Sequence, residues 1–148
     1  MLQQIYPYFI KFHVLFSIAF LLVAVGISVH SMLGWKRNWN YGKFDQRLQN
    51  TFLILLYIDL VLGIILYFFL QKPHEVVTAA EAMKYSDLRF WAIQHFSNMM
   101  FVVILCLIGS LFIRGTSISD KKYKYSFLYF GVSTLIIIVS VGLFALRK

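Results

Sequence analysis

The sequence predicts an all-α integral membrane bundle of four helices, and its composition and apolar stretches lead to that class. The chain has 148 residues, of which 60% are hydrophobic and 14% charged, whereas a soluble domain is roughly 45–50% apolar and about 25% charged. Four apolar stretches, at about 8–33, 48–70, 88–112 and 125–146, each reach the roughly 20 residues that cross a hydrocarbon core. Since little chain lies outside them, residues 1–148 are predicted to form a single transmembrane domain.

The first stretch begins near the N-terminus, where a signal peptide would stand. Lys11 is the only basic residue near its start, and no small-x-small cleavage site follows it. The stretch is also longer than the apolar core of a signal peptide. We therefore expect an uncleaved first helix.

The three connections between the stretches differ in composition. The first, at 34–42, mixes tryptophan and tyrosine with lysine and arginine, which is typical of a headgroup interface. The second, at 71–87, is the longest, and Thr78 with Glu81 resembles a capping box, which predicts a short interfacial helix around 79–85. The third, at 115–120, is polar turn sequence.

The net charge of +8 brackets the spans and does not form one soluble patch, so nucleic acid is not expected as a partner. Loops one and three carry eight basic residues: Lys36, Arg37, Lys43, Arg47, Arg114, Lys121, Lys122 and Lys124. The opposite side carries six: Lys11, Lys72, Lys84, Arg89, Arg147 and Lys148. The positive-inside rule then places loops one and three in the cytoplasm, with loop two and both termini in the periplasm. The expected location is a bacterial cytoplasmic membrane.

Two histidines lie at matching depths in parallel spans. His13 is about five residues from the outer end of span one, and His95 about seven from that of span three. At 1.5 Å per residue, both lie roughly 8–10 Å below the boundary. Histidines that project inward from bundle helices can hold haem as axial ligands, so His13 and His95 are the candidate ligands of a haem b. His30, near the inner end of span one, is expected to be interfacial.

Glycines and basic residues at a similar depth to the two histidines are suited to a bound haem. Gly63 and Gly142, about seven and four residues from the outer ends of spans two and four, would let a flat porphyrin approach. Lys11 and Arg89 lie just outside the two histidines, where they could meet haem propionates. Close helix packing and snorkelling to lipid phosphates are the alternatives for these pairs.

The membrane midplane has its own polar group. Asp59 lies at the centre of span two, where a charge costs about 2.5–3.5 kcal/mol on insertion scales. Asn98 and Ser17 follow His95 and His13 by three and four residues, so each is expected on its histidine's face. The three residues predict an inward polar cluster, which is either a proton- or quinone-related site or a hydrogen-bond cluster that sets helix register.

Short motifs along nearly the whole chain carry a family resemblance. They are His13, Gly34-Trp35, Phe44-Asp45, Leu62-Gly63, Tyr67-Phe68, Met83-Lys84, Arg89-Phe90-Trp91-Ala92-Ile93-Gln94-His95, Met99 or Met100, and Asp120-Lys121-Lys122. With them the chain resembles small four-helix membrane proteins of Bacteroidota that are labelled cytochrome b or cytochrome b-like. The resemblance implies a four-helix fold and haem b. Tyr57 and Tyr123 stand where members often carry histidine, so any ligands at those positions are missing here.

Two functions follow as hypotheses. The first is a b-type haem protein that transfers electrons, with quinone as a candidate partner. The second is a non-haem accessory subunit of a larger inner-membrane complex, or a homo-oligomer, in which the histidines bond across helices. Transporters and hydrolases are disfavoured, because no proline-broken span and no nucleophile–base spacing is found. Cys106 is the only cysteine, which excludes an intrachain disulfide and a thiolate cluster.

Overall fold

The computed structural model of the chain describes residues 2–70, 80, 83–85 and 89–146. Helices and π-helical turns make up nearly all of this part, and it contains no strand. The four α-helices are α1 (Leu2–Lys36), α2 (Lys43–Ile65), α3 (Phe96–Arg114) and α4 (Ser119–Leu146). A π-helical turn at Leu66–Leu70 extends α2, and another at Phe90–His95 leads into α3. The predicted all-α four-helix class is confirmed.

Each predicted apolar stretch coincides with one helix, and the helices run a few residues further at the ends next to loops one and three. α1 also begins six residues before the predicted stretch, at Leu2. The reason is that polar and basic residues continue a helix past the hydrocarbon, where hydropathy no longer marks it. The predicted short helix around 79–85 falls mostly outside the described residues.

The outer surface of the bundle is apolar. Leu22 and Leu111 are each 70% exposed, and four helices are long and apolar enough to cross a membrane: Ile5–Lys36, Lys43–Phe68, Ile93–Arg114 and Ser119–Leu146. Soluble proteins rarely expose apolar patches larger than a few hundred Å², so the surroundings of this surface are a lipid bilayer. The chain is a multi-pass membrane protein.

The bundle core is built from aromatic rings on three helices. Phe52 of α2 stacks on Phe130 of α4 at a centroid distance of 4.8 Å and lies 5.5 Å from Phe20 of α1. α1 packs against α2 and α4, and α3 packs mainly against α4, whereas the contact between the neighbouring helices α2 and α3 is slight. We call the end of the bundle with the loops at 37–42 and 115–118 the loop end. The opposite end, where α1 begins and α4 ends, is the terminal end.

Close packing of α3 on α4 depends on Gly109. A Cβ atom there would overlap Cβ of Tyr129, which cannot move without its backbone, whereas a Cβ on Gly26 would meet nothing within 4 Å. We expect Gly109→Ala to destabilise the bundle by about 1–3 kcal/mol, and Gly26→Ala to be neutral or stabilising by up to about 1 kcal/mol. Unfolding of the two variants in detergent, followed by circular dichroism, tests this. Equal stability of the pair would contradict the packing described here.

Candidate functional site

A small cavity lies in the terminal half of the bundle, where α1, α2 and the start of α3 face one another. Its volume is about 50 Å³. The residues that line it are His13, Asp59, Leu60, Gly63, Ile64, Tyr67, Trp91, His95, Phe96 and Met99. The structure therefore brings His13, His95, Gly63 and Asp59 together around one space.

Asp59 lies beside the His13 imidazole. Its Oδ1 is 3.3 Å from His13 Nδ1 and accepts a hydrogen bond of 2.6 Å from Ser17 Oγ. Ser17 Oγ is also 2.8 Å from the carbonyl oxygen of His13. Asp59 is buried, so the midplane carboxylate is held inside the bundle by one helical turn of α1.

The His13 ring is oriented by these contacts and by Gly63. Its Nδ1 is buried and, among the described residues, has no hydrogen-bond partner in good geometry, although Asp59 is close. A Cβ atom on Gly63 would lie 3.8 Å from His13 Nε2 and 3.7 Å from Cε1. The Nε2 edge of the ring thus faces the part of α2 where a side chain is absent.

His95 enters the cavity from the other side. The Trp91 ring lies 5.3 Å and the Phe90 ring 5.9 Å from it, measured between centroids. Within the described part of the chain, no hydrogen bond to its ring nitrogens is found. Among the described residues, each imidazole therefore keeps a ring nitrogen without a hydrogen-bond partner.

The two π-helical turns flank this cavity. Tyr67 belongs to Leu66–Leu70, and Trp91 and His95 belong to Phe90–His95. A π-helical turn contains an extra residue relative to an α-helical one, and such turns occur frequently at functional sites. No sequence pattern marks either turn.

The remaining predicted site residues lie elsewhere. Lys11 is exposed on α1, and Arg89 is partly buried directly before the second π-helical turn. Gly142 has no atom within 4 Å of its Cβ position and does not line the cavity. Asn98 donates a 2.8 Å hydrogen bond to Ser140 Oγ of α4. Three residues rotate an α-helix by about 300°, so Asn98 lies only about 60° around the helix from His95, on the side that contacts α4, whereas Ser17 contacts Asp59.

Met99 also lines the histidine cavity, and the comparison of depths in the sequence did not identify it. It lies four residues after His95, on the same helical face, and is buried. The same rule reaches Trp91, four residues before His95, and Tyr67, four residues after Gly63, so spacing along the helices could have found all three lining residues.

A second polar cluster, at the loop end, centres on Asp45. Its Oδ1 lies 2.7 Å from His30 Nε2 and accepts a 2.8 Å hydrogen bond from Tyr123 Oη. Its Oδ2 accepts a 2.8 Å hydrogen bond from the Gly42 N–H, which caps the start of α2. Gly34 makes room for the Tyr123 ring, since a Cβ there would lie 2.5 Å from Tyr123 Cε1.

Tyr41 extends this cluster towards α3. Its hydroxyl donates a 2.8 Å hydrogen bond to Gln49 Oε1. Burial and the charge of Asp45 raise the pKa of Tyr41 to about 12, so the phenol stays protonated and remains a donor. Sequence reasoning placed His30 at the interface but did not find these partners, because they lie on three different helices.

Comparison with known proteins gives no match: no family model, no curated protein and no solved structure is similar to the chain. In the part of the chain that the structure describes, no group of three or more His, Cys, Asp or Glu side chains could hold a metal ion. Axial ligation of a haem iron requires only two donors.

The cavity residues match haem in their donor chemistry but leave too little space for it. The two imidazoles and the carboxylate beside Nδ1 of His13 match the donor chemistry, because metal-bound histidine usually donates its other N–H to a carboxylate or carbonyl. The cavity of about 50 Å³ is smaller than the roughly 300–1,000 Å³ of small-molecule sites. The donor set therefore fits a haem, and the small cavity must widen to hold one.

Proposed function

We propose that the chain is a b-type haem protein of the membrane, with His13 and His95 as axial ligands, and that it transfers electrons. The observation that supports this most is that two imidazoles from α1 and α3 line one cavity with Asp59 beside the first. Haem, when bound, supplies one-electron chemistry, and two axial nitrogens leave no open position for a substrate. The visible spectrum of the purified protein tests the proposal.

Asp59 orients the His13 ligand in this proposal. A carboxylate at Nδ1 favours the tautomer with its proton on Nδ1, so the Nε2 lone pair points to the cavity. Ser17 holds the carboxylate oxygen at 2.6 Å, which limits its rotation. Lys11 and Arg89, both on the terminal side of the two histidines, supply positive charge for propionates at the membrane edge.

Removal of the Asp59 charge is expected to weaken haem binding without abolishing it. Loss of such an outer partner typically costs about 10–100-fold in metal affinity. Asp59→Asn should also raise the reduction potential, because a neutral amide stabilises the ferric charge less than a carboxylate does. Haem titration and a potentiometric titration measure the two effects.

The matched control is Asp120→Asn, which removes the same charge in the first turn of α4, at the opposite end of the bundle. Its haem affinity and potential should equal those of the unchanged protein. If Asp59→Asn behaves in the same way as this control, Asp59 does not act on a haem ligand.

A second candidate function has its own supporting observation. The cavity is small, and Ser17 already donates a hydrogen bond to Asp59, as expected of a hydrogen-bond cluster that fixes helix register. In that case the chain is an accessory subunit of a larger inner-membrane complex, or a homo-oligomer. Mild-detergent purification from native membranes, followed by native electrophoresis, would then show an assembly whose yield falls in His13→Ala, with no haem band.

The location and partners belong to the same proposal. We infer a bacterial cytoplasmic membrane, with loops one and three on the cytoplasmic side, from the excess of basic residues there. Membership of the Bacteroidota cytochrome b-like group is supported by the short motifs that include Arg89 to His95. Quinone is the candidate redox partner, because it is a membrane-soluble electron carrier that can reach a site inside the bilayer.

A further inference from the structure

A polar cavity at the loop end lies far from the histidine site. Its volume is about 270 Å³, and it is enclosed by the loop after α1 together with α2, α3 and α4. Its lining residues are Tyr41, Gln46, Gln49, Ile113, Arg114 and Lys122. Five of these six carry polar or charged groups and none is acidic, so the cavity presents positive charge and hydrogen-bond donors.

The two cations of this cavity have no acidic partner within the described residues. Arg114 ends α3 and Lys122 lies in the first turn of α4, and no ion pair is found for either. Asp45, the nearby acid on α2, is already engaged by His30 and Tyr123. Arginine and lysine that converge on one polar pocket are the usual means of holding a phosphate.

Lys122 is held at the cavity by an aromatic contact. Its Nζ lies 5.0 Å from the centroid of the Tyr41 ring, a cation–π distance. Its position thus adds to the charge that Arg114 directs at the same space.

An apolar groove adjoins this cavity and runs along the bundle. It has a volume of about 580 Å³ and runs between α2 and α3 past Leu53, Ile54, Leu107 and Leu111. Arg114 lines both spaces. The contact between α2 and α3 is slight, which leaves the groove between them open to lipid.

A hydrogen bond lies between the polar cavity and the apolar groove. Gln49 of the polar cavity donates to Ser110 of the groove at 3.4 Å. The polar, cationic cavity and the apolar groove therefore adjoin one another, and Arg114 lines both. A molecule with a phosphate and a long alkyl chain matches both.

We propose that these two spaces form a binding site for one anionic phospholipid. The phosphate contacts Arg114 and Lys122, and an acyl chain lies in the groove between α2 and α3. Basic pockets between transmembrane helices are known to hold anionic headgroups. A free phosphate would occupy the polar cavity alone and would leave the groove unused, so the groove favours the lipid.

The test uses delipidated full-length protein in detergent and native mass spectrometry with phosphatidylglycerol, phosphatidylcholine and glycerol 3-phosphate as probes. We expect one phosphatidylglycerol to bind in preference to both other probes. Arg114→Gln and Lys122→Gln should each weaken it about tenfold, the loss expected for one charge-assisted hydrogen bond. Lys121→Gln, at an exposed neighbour of Lys122, is the matched control and should leave binding unchanged.

A second pair of variants tests the acyl chain. Ile54 is 57% exposed in the groove, and Val61 is 51% exposed on the same helix outside it. Ile54→Trp should fill the groove and weaken phosphatidylglycerol, whereas Val61→Trp should not. Both sites face lipid, so the fold is expected to tolerate the ring, and circular dichroism checks this.

Three results would overturn the proposal. Equal binding of phosphatidylcholine removes the anionic requirement. Glycerol 3-phosphate that binds as tightly as the lipid, with no effect of Ile54→Trp, shows a free-phosphate site. A loss in Lys121→Gln equal to that in Arg114→Gln shows diffuse charge attraction and no defined pocket.

Discussion

Replacement of either His13 or His95 by alanine is expected to abolish the spectrum of a six-coordinate, low-spin b-type haem. The two imidazoles line the same cavity from α1 and the start of α3, so each variant removes one of two axial bonds and leaves the other histidine alone. A reduced-minus-oxidised spectrum, with a pyridine haemochrome assay for haem content, measures the loss. Because two ligands act as one unit, the double variant should be no worse than either single variant.

The control for this experiment is His30→Gln. His30 lies on the same helix as His13, about 25 Å further along it, and contacts Asp45, which glutamine can still reach by a hydrogen bond. Its haem spectrum should match that of the unchanged protein. If both alanine variants keep the native spectrum, the assignment of the ligands is wrong.

Asp45→Ala is expected to lower the stability of the bundle by about 2–4 kcal/mol, because it removes a carboxylate that takes part in three hydrogen bonds, each worth about 1 kcal/mol. The change leaves His30 and Tyr123 without their common acceptor and removes the cap on the Gly42 N–H. The variant therefore loses the contacts that join α2 to α1 and to α4. Thermal or denaturant unfolding in detergent measures the effect.

Two further variants provide reference values for the loss of stability in Asp45→Ala. Tyr123→Phe removes one hydrogen bond, worth about 1 kcal/mol. Asp120→Ala, in the first turn of α4, removes a helix-terminal charge worth about 0.3–1 kcal/mol. The cluster is not a structural link between helices if Asp45→Ala costs no more than Asp120→Ala does.

The histidine–aspartate contacts connect α1 to α2 at both ends of the interface. His13 meets Asp59 at 3.3 Å near the terminal end, and His30 meets Asp45 at 2.7 Å near the loop end. Residue numbers rise along α1 as they fall along α2, as antiparallel neighbours require. The two pairs together set the register of the first two helices, which positions His13 opposite α3.

The fold was predictable from hydropathy because lipid leaves the backbone no alternative to a helix in each span. The shared depth of His13 and His95 was predictable for a related reason, since residue counts along parallel spans convert directly into height. Both histidines indeed line one cavity. Residue counts therefore predict the height of a side chain in the membrane, which does not depend on how the helix is rotated about its axis.

Rotation and partner choice were not predictable. Asn98 turns to Ser140 and not to Asp59, because its direction depends on helix rotation and packing against α4. A π-helical turn ends at His95, and no sequence pattern marked it. The contacts of Asp45 with His30 and Tyr123 join three helices, so they depend on a register that spacing along the chain does not contain.

The most direct measurement is the dithionite-reduced minus air-oxidised visible spectrum of the purified protein, produced in cells with ample haem. A sharp b-type α band with near-stoichiometric haem is the predicted result, and it would show that the cavity between His13 and His95 opens to accept the group. A flat spectrum, with no haemochrome, would contradict the proposal and leave the histidines as members of a hydrogen-bond cluster in an accessory subunit.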